Sequence, residues 1–134
     1  MKPTFRCGTK KAIDELAEEL NLPNDLTMQD WSYEVSNPND IDKYISHYYM
    51  TTDDDKKFVL MEMILQALVD QPDEPQLMVC WKKVEPILTD NFNIHEFTVH
   101  YWKDLTDDNF DKCKILSPLL KQLWTTKTLD NGIK

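Results

Sequence analysis

The chain has 134 residues, 41% of them hydrophobic, which is enough for one continuous core, so we expect one domain over residues 1–134. Its net charge of −9 is unevenly distributed, since residues 12–111 hold 23 of the 24 carboxylates against six lysines and both ends are basic. Such a surface repels phosphate backbones and anionic lipids, so we expect a basic protein partner and neither nucleic acid nor membrane. The alternative is that the acidic surface serves only solubility.

The sparse glycines and scattered cysteines disfavour several further classes of protein. Gly8 and Gly132 are the only glycines, so there is no Gly-rich loop for phosphate, and we expect no cofactor. Cys7, Cys80 and Cys113 are odd in number and widely spaced, which argues against a disulfide framework or a zinc site and suits a reducing cytoplasm. No apolar run approaches the ~20 residues that span a bilayer.

Apolar residues recur at three- and four-residue steps along most of the chain, which predicts an all-α fold, an irregular bundle of about six to eight helices. Thr9 is predicted to cap the first amphipathic helix, whose apolar stripe ends at Leu20. Residues 24–37 lack a clear period and are interpreted as a loop with at most one short helical turn. Asn37 and Pro38 then predict the start of the next helix. Its inward residues are predicted to be Ile41, Tyr44, Ile45 and Tyr48.

The helix after this one is apolar nearly all round. Thr52 is predicted as its N-cap, and residues 58–65 are apolar except for Glu62, so we expect it to be the most central helix. Glu62 is interpreted as facing solvent along a mildly polar edge, and a buried pairing with a lysine or tyrosine is the alternative. The carboxylates of residues 53–55 favour the positive end of the helix dipole, and the glycine and glutamate of a calcium-binding loop are missing.

Two features shape the helices that follow. Pro86 lies inside an apolar stripe and is expected to kink or shorten its helix. Asn93 is predicted to cap the next helix, on which Ile94, Phe97 and Tyr101 share a face.

The last part of the chain is predicted to contain two helices. A short one that includes Phe110 ends near Ser117, and Pro118 starts the other. The ends, residues 1–8 and 126–134, are predicted to be frayed tails. Two predicted helix pairs are about forty residues apart, which suits HEAT-like hairpins as well as an irregular bundle.

Histidines are the candidate metal ligands. His95 and His100 are five residues apart, roughly 140° around one helix, so they do not converge on one ion, and His47 lies on another helix. No metal site is predicted. A small metal-dependent hydrolase that uses histidine and carboxylate is the enzyme alternative.

Trp31 lies in the weakly periodic stretch between Asp30 and Glu34. An aromatic ring among charges is typical of a protein-binding hot spot. The open alternative is that Trp31 tucks under its own loop and completes the core.

Residues 28–35, then Ile41, Tyr44 and Tyr48, then residues 54–66, resemble small helical bacterial proteins of uncharacterised type, some of which look like immunity proteins that neutralise a toxin. The resemblance covers about the first half of the chain and contains no catalytic motif. It implies a binding role and identifies no target.

Charge and resemblance together predict an inhibitor, not an enzyme, that covers a basic toxin domain such as a nuclease. A helical adaptor without a toxin partner is a further alternative. The predicted partner-binding residues are Asp30, Trp31, Glu34, Asp40, Asp42, Asp53 and Asp54.

Overall fold

A computed structural model describes residues 3–25, 28, 30–105 and 113–133. All regular elements in these ranges are helical, which confirms the all-α class. The described residues form α1 (Lys10–Glu19), α2 (Trp31–Val35), a 3-10 turn (Pro38–Asp40), α3 (Ile41–Met50), α4 (Asp54–Val69), α5 (Glu74–Asp90), α6 (Phe92–Trp102) and α7 (Cys113–Ile133). In that part of the chain, no helix combines the length and the apolar character that a membrane span requires.

The chain divides into two compact units. One, called here the α1–α4 unit, is Cys7–Gln71; the other, the α5–α7 unit, is Pro72–Lys134 together with Met1–Arg6. The expected single domain and the HEAT-like arrangement stay predictions.

Helix α4 is the centre of the α1–α4 unit, as its pattern predicts. Ten of its 16 residues are buried, and α1, α2 and α3 all pack against it. At Gly8, an added Cβ would lie 2.9 Å from the Cγ2 atom of Val59, so glycine lets the chain pass close to α4. Asp53, not Thr52, caps α4: its Oδ1 accepts the backbone N–H of Asp55 at 2.9 Å. A carboxylate caps as well as a hydroxyl does and also favours the helix dipole.

The two other long helices of this unit follow their predictions. The Thr9 hydroxyl oxygen accepts the backbone N–H of Ala12 at 3.1 Å and begins α1. Asn37 caps the 3-10 turn, its Oδ1 accepting from the backbone N–H of Asn39 at 2.9 Å, and the turn leads directly into α3. The four inward residues predicted for α3 are all buried.

The α5–α7 unit departs from its predictions at α5 and α6. Pro86 does not shorten α5, which continues to Asp90, and the alternative of a kink stays a prediction. Helix α6 begins at Phe92, before the predicted cap Asn93, and Tyr101 is 52% exposed whereas Ile94 is buried. The buried residues of α6 are Phe92, Ile94, His95, Thr98, Val99 and Trp102. The core of this unit therefore includes His95 and Thr98, which a search for apolar periodicity does not predict to be buried.

The predicted helix boundary at Ser117 and Pro118 is wrong, because α7 is continuous through both. Ser117 is buried and its hydroxyl donates to the backbone carbonyl of Trp102 at 2.7 Å, so it is an interior residue and not a cap. Pro118 removes one backbone hydrogen bond, and the buried Leu116 and Leu120 flank it. Phe110 lies outside the described residues, and the predicted fraying of the ends stays a prediction.

We expect Leu65→Ala to lower the free energy of unfolding by about 2–5 kcal/mol, because Leu65 is fully buried on α4 and its removal leaves a cavity. Leu129→Ala is the matched control, since Leu129 is 60% exposed, and it is expected to change stability by at most about 0.5 kcal/mol. Urea unfolding followed by circular dichroism measures both. Equal losses would contradict the central position of α4.

Candidate partner-binding surface

The net charge of the chain belongs to one unit. The α1–α4 unit contains 14 carboxylates and five lysines, a net of −9, whereas the α5–α7 unit contains ten acidic and ten basic residues. Any electrostatic attraction for a basic molecule therefore comes from residues 7–71.

Two of these carboxylates, Glu15 and Glu19, belong to a network of ion pairs and hydrogen bonds that joins three helices. The Lys56 Nζ atom of α4 lies 3.0 Å from Glu15 Oε1 and 2.5 Å from Glu19 Oε2, both on α1. The other oxygen of Glu19 lies 2.7 Å from His47 Nε2 on α3. The hydrogen bond from Lys56 lowers the pKa of Glu19, and the same contact raises the pKa of Lys56. The network holds α1 against the ends of α3 and α4.

Glu62 is held by α2. Its Oε1 accepts the Ser32 hydroxyl at 3.0 Å and its Oε2 accepts the Tyr33 hydroxyl at 3.2 Å. The expectation of a solvent-facing Glu62 is wrong, and the alternative of a tyrosine partner is right, because α2 packs on α4 at this point. Burial raises the pKa of Glu62, although both hydroxyl bonds favour the charged form.

Trp31 cannot serve as the predicted aromatic anchor. It is 3% exposed, and its Nε1–H donates to the backbone carbonyl of Pro23 at 2.7 Å. The tucked alternative is the correct one: the ring completes the core, and its polar nitrogen pairs with the loop that precedes α2.

The two acidic residues predicted beside Trp31 lie at the surface of α2. Asp30 and Glu34 are both exposed. The Oε2 atom of Glu34 accepts the backbone N–H of Asp30 at 2.9 Å and so closes the N-terminus of α2. The Glu34 carboxylate therefore has a structural role in addition to the predicted binding role.

The remaining predicted site residues lie at two other helix starts. Asp40 ends the 3-10 turn and is half-buried, and Asp42 is exposed in the first turn of α3. Asp53 and Asp54 are exposed at the start of α4. The predicted residues thus occupy the beginnings of α2, α3 and α4.

Two exposed apolar residues are missing from the predicted site. Tyr49 is 68% and Met50 is 75% exposed at the end of α3. Helical geometry places Met50 opposite the inward stripe of α3, so its exposure could be predicted from the sequence. Tyr49 continues the spacing of that stripe, four residues after Ile45, so its exposure could not.

Among the described residues, no three side chains of histidine, cysteine, aspartate or glutamate come together in a way that could hold a metal ion. Comparison with protein-family models, with curated proteins and with solved structures finds no match to this chain. The resemblance to immunity proteins stays a prediction. Function is therefore inferred from the charge, exposure and contacts of the surface residues of the α1–α4 unit.

We expect Glu62→Gln and Glu19→Gln to change stability with opposite dependence on pH. Burial raises the pKa of Glu62, so its contribution is complete at low pH and is lost as the pH rises through the raised value. Glu62→Gln should therefore gain stability relative to the parent chain between about pH 4 and pH 7.

The lowered pKa of Glu19 has the reverse consequence: its contribution is present above the ordinary glutamate range and is lost as the pH falls. Glu19→Gln should lose stability relative to the parent chain as the pH rises from about 3 to about 5, below the interval in which Glu62→Gln gains it. Urea midpoints measured from about pH 3 to about pH 7 test both variants, and two curves that change in parallel would show that the pKa values of Glu62 and Glu19 are not shifted in opposite directions.

Proposed function

We propose that this chain is a protein-binding inhibitor of the immunity type, which acts in the cytoplasm and neutralises a basic toxin domain such as a nuclease. The observation that supports it is the confinement of the whole net charge of −9 to the α1–α4 unit. A nuclease presents cations to a polyanionic substrate, and a carboxylate-rich surface competes for those cations.

The exposure of their carboxylates supports the starts of α2, α3 and α4 as the binding surface. Two of the five lysines of the α1–α4 unit, Lys10 and Lys56, make ion pairs with carboxylates of α1. That leaves α1 partly neutralised. Exposed carboxylates at the three helix starts are Asp30, Asp42, Asp53 and Asp54.

Electrostatic attraction of this kind acts mainly on the rate of association. Charge complementarity steers two proteins into contact and raises the association rate at low salt, by one to three powers of ten in favourable cases. The same field repels the nucleic acid that a nuclease would otherwise bind, so inhibitor and substrate exclude each other from one surface.

The proposal is tested with the purified basic protein encoded next to the gene of this chain. We expect the double variant Asp42→Lys, Asp54→Lys to associate at least about tenfold more slowly at low salt, and we expect the parent rate to fall steeply as salt is added. Stopped-flow fluorescence measures both rates. Coexpression of the parent chain should also protect cells from the basic protein.

The matched control is Glu85→Lys, Asp90→Lys, which reverses two exposed charges on α5 in the α5–α7 unit. It changes the net charge by the same amount, so it should slow association by no more than about twofold to threefold. A rate that is insensitive to salt, or equal effects of the two double variants, would refute the proposed surface. A neighbouring protein that does not bind this chain at all would refute the function.

A further inference from the structure

Tyr49 and Met50 form a small apolar patch at the end of α3. They are consecutive and 68% and 75% exposed. Single exposed apolar residues are ordinary in proteins, but tyrosine and methionine are among the residues enriched in protein interfaces. We therefore expect the patch to contact a specific partner molecule.

The backbone around the patch is held in place. Tyr48 is buried, and its ring lies edge-on to that of Tyr49, with centroids 6.4 Å apart. Directly after the patch, the Thr51 hydroxyl donates to the backbone carbonyl of His47 at 2.7 Å. A backbone segment that is already ordered loses less conformational entropy on binding than a mobile one.

The surroundings of the patch are acidic. Asp53 and Asp54 follow it at the start of α4. Asp42 precedes Tyr49 by seven residues, which is two helical turns, so both lie on the same side of α3 within about 20°. The chain from Asp42 to Lys57 contains four carboxylates and three lysines. Of these lysines, Lys56 is paired with Glu15 and Glu19 of α1, and Lys57 places its Nζ atom 5.7 Å from the centroid of the Tyr48 ring.

We propose that Tyr49 and Met50 are the apolar anchor of the partner-binding surface, and that their occupant is a basic protein segment carrying an apolar side chain beside its arginines or lysines. The basic character of the occupant rests on the proposed function. The identity of the anchor rests on exposure and position, and it replaces Trp31 in that role.

The chemistry of the patch fits this occupant better than a second copy of the chain. The face of a tyrosine ring attracts a guanidinium group, and the flexible thioether of methionine adapts to an apolar neighbour. A second copy would bring a unit of net charge −9 towards an acidic surface, which costs electrostatic energy.

The test uses the full chain and two synthetic peptides of equal length and equal positive charge. One contains only lysine and serine, and the other is an amphipathic arginine and leucine peptide. Titrations at low salt, followed by NMR of the 15N-labelled chain, should show that the amphipathic peptide binds at least about fivefold more tightly and shifts the amide signals of residues 49 and 50.

The double variant Tyr49→Ala, Met50→Ala should remove this preference and leave the weaker binding of the lysine peptide unchanged. Tyr101→Ala is the control, since Tyr101 is a 52% exposed tyrosine on α6, and it should retain the preference. Both variants alter exposed side chains, so circular dichroism should show intact folds.

The outcomes separate the two proposals. If both peptides bind equally and the double variant changes nothing, the anchor is refuted and the acidic surface stands. If neither peptide binds at low salt, both proposals fail. If sedimentation instead shows a dimer of the parent chain that the double variant dissolves, the occupant is a second copy and the anchor proposal is wrong.

Discussion

Burial of α4 is the constraint on which the α1–α4 unit depends. Ten of its 16 residues are buried, so the helix requires partners around most of its circumference, and α1, α2 and α3 supply them. Helix α2 has five residues, too few to be stable alone, so its order comes from what it contacts. Burial of Trp31 and the two hydroxyl bonds to Glu62 hold it on α4. The carboxylate that is costly inside an apolar helix is thus also the group that positions α2.

The outer surface follows from this inner packing. The stripe of α3 that ends at Tyr48 faces the core, and the two residues that follow it, Tyr49 and Met50, are exposed at the end of the helix. Because Asp53 caps α4, the neighbouring Asp54 is presented at a fixed helix start. A binding surface built in this way needs little reorganisation when a partner arrives, which favours fast association.

Local patterns could predict most of the helices and few of the tertiary contacts. The Thr9 cap and the inward stripe of α3 depend on neighbours within one or two turns, which the sequence displays directly. The hydrogen-bond partners of Glu62 lie about thirty residues away in the sequence, and the burial of Trp31 depends on where α2 packs. The periodicity of apolar residues could predict neither contact. The helix boundary predicted at Pro118 is wrong for a related reason: tertiary packing of α7 outweighs the cost of the one backbone hydrogen bond that proline removes.

The confinement of charge to one unit has a consequence for how salt acts on the folded chain. Fourteen carboxylates against five lysines repel one another within the α1–α4 unit, whereas charges balance in the α5–α7 unit. Dissolved cations gather around the first unit and weaken that internal repulsion over distances of about 10 Å at 0.1 M ionic strength. Added salt should accordingly make the α1–α4 unit more resistant to denaturation while weakening its attraction for a basic protein. Ionic strength would therefore shift the folding equilibrium of the chain and its proposed binding of a basic partner in opposite directions.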